Sequence, residues 1–289
     1  MAAKYEIDGV TGAETTGHEW DGIKELNRPL PKWWLYVLYA TIVWSVGYWV
    51  AYPAWPMVSG YTAGVLGYSQ RHTVTRSIEN ARAAQSASNA AIAQATPEEI
   101  KANPDLLQFA VAGGRAAFGD NCAPCHGRGA QGAAGYPNLN DDDWIWGGKL
   151  ADIHATIRGG VRGTADDTRI SAMPRFGLDQ MLIRAQIADT AEYVLTLSGA
   201  TADAAAAERG KTIFAENCAS CHAEDGKGNQ ELGAPNLTDA IWLYGSKKAD
   251  IVLSIETGRG GVMPAWAGRL DENTIKKLTV YIHSLGGGQ

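Results

Sequence analysis

Cysteine is scarce in this chain: there are four among 289 residues. All four lie in two short motifs, so none remains for a structural disulfide. Basic clusters are missing as well. The net charge is −6, with no Lys/Arg-rich run. A protein that grips phosphates usually shows a basic surface, so no nucleic acid is expected as a partner. The six histidines are scattered, which leaves no cluster to hold copper. Strand-like alternation is nearly absent, which points away from sandwiches and barrels and toward helices. One further absence is local: residues 33–52, WWLYVLYATIVWSVGYWVAY, carry no charged side chain.

That uncharged run is the first positive signal. Twenty residues at about 1.5 Å rise give roughly 30 Å, the thickness of a hydrocarbon core. Trp33, Trp34, Tyr52 and Trp55 fall near the two interfaces, where amphipathic rings prefer to lie, and Pro53 and Pro56 end the helix. A signal peptide fits poorly, because 32 residues with six acids precede the run and no small-residue cleavage site follows it. An uncleaved, single-pass anchor in membrane lipid is expected. Lys24, Arg28 and Lys32 precede it, and no Lys or Arg follows until Arg71. The positive-inside rule therefore puts the N-terminus in the cytoplasm and exports the rest.

Residues 53–78 are moderately apolar and broken by Pro and Gly, which suits an interfacial or partner-contacting segment. Residues 79–104 are alanine-rich, with a good helix start at Thr96-Pro97-Glu98-Glu99; the default for this stretch is a solvated spacer. Then the chain repeats itself. Cys122 to Cys218 is 96 residues, Pro137 to Pro235 and Trp144 to Trp242 are 98, and Met173 to Met263 is 90. The first copy thus carries eight extra residues (98 − 90), within GVRGTADDTRI at 160–170. Units this long are tandem domains rather than solenoid turns. In each unit a helix leads into the cysteines, Gly-rich irregular chain follows, and an amphipathic helix closes it. The expected organisation is a segment at 1–32, an anchor at 33–56, an interfacial segment and linker at 57–105, and two all-α domains at 106–199 and 203–289.

Both motifs, NCAPCH and NCASCH, read as Cys-x-x-Cys-His. Two thiols at this spacing add to the vinyl groups of a porphyrin, and the adjacent histidine becomes the iron's proximal ligand: Cys122, Cys125 and His126, then Cys218, Cys221 and His222. A zinc site shared between the pairs leaves both histidines unexplained, and a redox dithiol needs a βαβ context that is missing. Two covalently bound haem c groups are therefore expected. Met173 and Met263 occupy matching places, each before a proline, and a thioether is a suitable sixth ligand that raises the reduction potential. His154, His283 and Met181 are the rivals; Met181 is expected to pack at the start of a closing helix. Whether each methionine serves its own domain's haem or its neighbour's is open from the sequence. Iron capped by Met has no open site for substrate, which favours electron transfer over catalysis.

Residues 106–199 and 203–289 resemble class I cytochrome c domains. The resemblance implies that Pro137 and Pro235 offer carbonyls to the histidine rings. It also implies that Gly114 with Phe118, and Gly210 with Phe214, pack against Tyr193 and Tyr281 of the closing helices. HEWDGIKELNRPLPKWW at 18–34, leading into one span, a linker and two such domains, resembles the dihaem subunit III of cbb3-type cytochrome c oxidases. That implies haem domains on the periplasmic side of a bacterial cytoplasmic membrane. The chain would take electrons from a soluble or membrane-anchored cytochrome c donor and pass them to a monohaem cytochrome c subunit and a catalytic haem–copper oxidase subunit. Competing readings are an anchored dihaem shuttle for another complex and a dihaem peroxidase.

Overall fold

The structure is a computed structural model that describes residues 6–288. The chain divides into two compact units, Met1–Ala83 and Ala84–Gln289.

In the first unit, strands β1 (Thr15–Trp20) and β2 (Ile23–Leu26) pair antiparallel, with Trp20 opposite Ile23. The two linking residues, Asp21 and Gly22, both have positive φ, 51° and 85°, the conformation that a two-residue hairpin turn matching strand twist requires. No strand was expected here from the sequence, although Asp-Gly is a hairpin signal; both strands are short and largely exposed. Helix α1 (Lys32–Ala51) follows Pro31 and buries none of its residues. It is long and apolar enough to cross a membrane. Its last carbonyls are not left open: Val65 and Leu66 donate backbone hydrogen bonds to Val50 and Ala51, at 2.9 and 3.1 Å. Gly64 makes this return possible, since a Cβ there would lie 2.5 Å from the Ala51 carbonyl oxygen. Tyr48, Trp49, Tyr52, Trp55 and Tyr68 pack ring on ring at this end. A two-residue ribbon, β3 (Pro56–Met57) with β4 (Gly60–Tyr61), completes the segment.

Helix α2 runs from Gln70 to Gln94, so the alanine-rich stretch is helix up to Gln94, and Ile92 at its end is fully buried in the second unit. Helix α3 (Pro97–Ala102) starts as expected: the Thr96 hydroxyl accepts from Glu99 N, and the Glu99 carboxylate accepts from Thr96 N. There follow α4 (Pro104–Asn121), α5 (Ala123–His126), α6 (Leu150–Gly159) and α7 (Arg184–Leu197). The second copy supplies α8 (Ala204–Asn217), α9 (Ala219–His222), α10 (Lys248–Thr257) and α11 (Glu272–His283).

The packing crosses the sequence repeats. Helix α4 of the first copy lies on α11 of the second, with the Phe118 and Tyr281 rings 5.5 Å apart. Helix α8 of the second copy lies on α7 of the first, with Tyr193 and Phe214 5.2 Å apart. Glycine permits both close approaches: a Cβ on Gly114 would meet the Lys277 carbonyl at 2.3 Å, and one on Gly210 the Asp189 carbonyl at 2.0 Å. Phe118 and Phe214 are 1% and 2% exposed, and truncating either to alanine would cost about 3–5 kcal/mol. The repeats at 106–199 and 203–289 therefore describe the order of elements along the chain, while each packed half takes its closing helix from the other repeat. The two closing helices present equivalent residues to the cysteine-bearing helices, Tyr193 with Tyr281 and Ile187 with Ile275, so either can close either half on that side.

Candidate haem sites

Each site starts where a long helix ends. Cys122 is the C-cap of α4 and Cys218 that of α8, and a single further turn places Cys125 with His126, and Cys221 with His222, beside them. Asn121 and Asn217 brace that junction by donating from Nδ2 to the carbonyls of Ala117 and Ile213, at 2.8 and 3.0 Å. Cys122 and Cys218 are buried, Cys125 is exposed and Cys221 is intermediate, and no disulfide joins them. Burial, with a smaller contribution from the neighbouring thiol, pushes Cys122 and Cys218 up to about 11.

His126 Nδ1 donates to the Pro137 carbonyl at 2.9 Å, and His222 Nδ1 to that of Pro235 at 3.1 Å. These are the bonds implied by the cytochrome c resemblance. Burial lowers the pKa of both rings, with the proline carbonyl opposing it. A neutral ring whose Nδ1–H is spoken for offers Nε2 as its one lone pair, the arrangement an axial histidine needs.

The methionines pack crosswise between the repeats. Met263 packs into the apolar cluster of Phe118, Cys122, Ile153, Ile157, Leu278 and Ile282. Met173 packs into that of Cys218, Phe214, Ile187, Val194, Ile251 and Ile255. The structure thus packs Met263 in one cluster with Cys122, the residue that leads into Cys125 and His126, and Met173 in one with Cys218, which leads into Cys221 and His222. Each cluster pairs a buried cysteine with a thioether in an apolar lining, and an oriented imidazole follows that cysteine in the chain, a donor set that suits haem.

Two glycines seat the methionine loops. Gly160, after α6, has φ +71°, and a Cβ there would meet the Met263 carbonyl at 2.4 Å; Gly258, after α10, has φ +60°, with the Met173 carbonyl at 2.5 Å. Each therefore lies in one repeat and contacts the other's methionine. Two arginines flank the sites: Arg169 stacks on Trp146 at 5.1 Å and Arg259 on Tyr244 at 4.8 Å. None of these was singled out from the sequence, yet Arg169 and Arg259 are 90 apart, the spacing of the methionine pair, and Gly160 and Gly258 are 98 apart. The rival ligands lie elsewhere. His154 Nε2 is hydrogen-bonded to Glu272 at 2.7 Å, and His283 is buried in the last turn of α11. Met181 is 54% exposed, so it does not pack at the helix start as expected; it precedes α7 on the surface.

Comparison with known proteins shows the family. Residues 12–59 match the N-terminal domain of cytochrome oxidase-cbb3, FixP; residues 111–198 match the cytochrome c family; residues 205–282 match cytochrome c oxidase, cbb3-type, subunit III. A cbb3-type cytochrome c oxidase subunit FixP from Azorhizobium caulinodans is 58% identical, covering 98% of this chain and 96% of its own. The subunit CcoP of Azospirillum brasilense is 53% identical over 99% of this chain and 100% of its own, and the FixP of Rhizobium meliloti is 53% identical over the full length of both. With an N-terminal apolar helix and two cytochrome c domains, the chain belongs to the family of cbb3-type cytochrome c oxidase subunit III, membrane-anchored electron-transfer subunits carrying two covalently bound haem c groups.

Proposed function

We propose that Cys122 and Cys125 hold the first haem with His126 and Met263 as axial residues, and that Cys218 and Cys221 hold the second with His222 and Met173. The observation that carries this reading is the crosswise packing of the two methionines into the cysteine-bearing clusters. When bound, such groups supply one-electron transfer. The chain's own residues fix the histidine tautomer through Pro137 and Pro235, exclude water with the apolar linings, and occupy the sixth position so that no substrate enters. That favours a relay and disfavours a peroxidase.

In the assembled enzyme the chain takes electrons from a soluble or anchored cytochrome c donor and delivers them to a monohaem cytochrome c subunit and the catalytic haem–copper subunit. Lys24, Arg28 and Lys32 before the span support a cytoplasmic N-terminus, with the haem-bearing unit in the periplasm. The test is purification of the solubilised complex through a tag on this chain. Haem b and copper are expected to co-purify, and both ferric c haems are expected to show the methionine–iron charge-transfer band. Absence of haem b and copper supports the independent shuttle instead; a missing band on one haem supports the peroxidase.

A further inference from the structure

The eight residues that only the first repeat has fall between Gly160 and Arg169, since the corresponding glycine and arginine of the second repeat, Gly258 and Arg259, are adjacent. They form a tight loop: Arg162 N donates to the Arg169 carbonyl at 2.7 Å, and Gly163 N to the Thr168 hydroxyl at 3.1 Å. The loop is stitched to the other repeat. Val161 and Met263 exchange both backbone hydrogen bonds, at 2.9 and 3.0 Å.

The side chain of Arg162 does something more specific. Its Nε donates to the Gly261 carbonyl at 2.7 Å and an Nη to the Ser171 carbonyl at 2.8 Å. Gly261 lies two residues before Met263, and Ser171 two residues before Met173. One guanidinium therefore holds both methionine loops at equivalent points, 90 residues apart, the same offset as the methionines themselves. A group at a place that relates two equivalent loops need be supplied only once, which accounts for an insertion in one repeat and not in the other. The fork of donors on a planar guanidinium suits this, whereas an ammonium is a point donor on a flexible stem.

The charge is also unusual. Arg162 is partly buried, and none of the ion pairs among the described residues includes it. Burial lowers its pKa, with Tyr244 opposing, but a guanidinium remains charged. Arg169 and Arg259, by contrast, each serve one repeat, bonding back onto α6 and α10 respectively.

We propose that Arg162 is a positioning residue for both haem sites: it ties the two axial-methionine loops to each other and places one unneutralised positive charge at both. A fixed cation disfavours the ferric state, which carries the extra positive charge, so it raises both reduction potentials together. This rests on the proposed methionine ligation.

The experiment uses the full-length, haem-loaded protein, with spectroelectrochemical titration and the methionine–iron absorption band as readouts. Wild type tests the ligation reading first; if either haem lacks the band, that reading fails before any variant is considered. Given both bands, Arg162→Lys keeps the charge and loses the fork, so both bands are expected to weaken and both potentials to fall by less than when the charge is lost as well. Arg162→Gln also loses the charge. Both potentials are then expected to fall together, shifting each haem's oxidised-to-reduced ratio at fixed ambient potential by roughly threefold or more. A change confined to one haem in either variant overturns the proposal, as does the absence of change at both. If Arg162→Gln fails to accumulate with two haems, Arg162→Lys decides alone: two unchanged bands overturn it.

Discussion

The two closing helices, α7 and α11, are alike on the side that faces a haem site and unlike on the other. Tyr193 and Tyr281 both meet a phenylalanine of the opposing helix, and Ile187 and Ile275 are both buried. One residue before each tyrosine the copies diverge. In α11 the position is Val280, packed with Ile92, Ile100, Ala110 and Leu150 beneath the end of α2 and α3. In α7 it is Glu192, whose side chain is 9% exposed, bonded to Lys248 and accepting from Asp203 N at 3.0 Å. Lys276 of α11 adds to the difference by donating to the carbonyls of Ile92, Ala93 and Ala95, the open end of α2. One half is thus covered by the segment leading from the membrane anchor, and the other is closed by its own polar clamp. What the two share is what haem binding requires; where they part, one of them carries the linker. The Lys248 hydrogen bond holds the Glu192 carboxyl below its usual range, so its contribution is present above that range and is lost on acidification through the lowered pKa. Val280 contributes nothing of that kind to its half.

The strongest way to break the equivalence of the halves is through the two seating glycines. Gly160→Ala and Gly258→Ala each force a Cβ into a methionine carbonyl at positive φ, costing about 1–3 kcal/mol. Each is expected to weaken the methionine–iron band of a different haem, and the double variant both; absorption spectra read this directly. If Gly160→Ala weakens the band of the haem held by Cys218 and Cys221, or Gly258→Ala that of the haem held by Cys122 and Cys125, the crosswise pairing is wrong.

A smaller asymmetry lies at Asp143, where the second repeat has Ile241 (offset 98). Burial first, then Asp239, Asp141 and Asp142, push its carboxyl up to about 6. The folded state then holds its proton at pH values where the unfolded chain has lost it, so stability falls as pH rises from about 4 through 6. Asp143→Asn should therefore raise stability at pH 7 by on the order of 1 kcal/mol after allowance for solvent screening. The gain should vanish below pH 4, which thermal melts at the two pH values would show; an equal gain at both would contradict it.

The smallest expected effect concerns the residue after each histidine. Gly127 has φ 81° and ψ 153°, and its counterpart Ala223 holds φ 62° and ψ 161°, a region that only glycine adopts without strain. Ala223→Gly should stabilise by about 1 kcal/mol, seen as a rise in melting temperature, whereas Gly127→Ala should lower it.

Much of this was legible in the sequence, for reasons that differ residue by residue. The Cys-x-x-Cys-His spacing, the methionines before prolines and the Thr96 cap are local patterns with local causes, and the structure shows the helix leading into each cysteine pair and the Thr96 cap as expected. The proline carbonyls on the histidine rings follow from the resemblance to cytochrome c. The exchange of closing helices was not legible, because α7 and α11 offer matching residues to either partner and no local pattern records which one they meet. The β1–β2 hairpin was missed because its two strands bury almost nothing, leaving Asp21-Gly22 as the lone signal. Arg162 lay inside the recognised insertion, but a lone arginine in a loop reads the same whether it bonds one loop or two.

The crosswise pairing is tested most directly by nuclear Overhauser contacts from the methionine methyl groups in the reduced, haem-loaded full chain, with Met173 and Met263 assigned by substitution. The methyl of Met263 should contact Leu139, Ile153 and Ile157 of the first repeat, and that of Met173 should contact Leu237, Ile251 and Ile255 of the second. Contacts from Met173 to Leu139 and from Met263 to Leu237 would show instead that each repeat closes on itself, and would contradict the account.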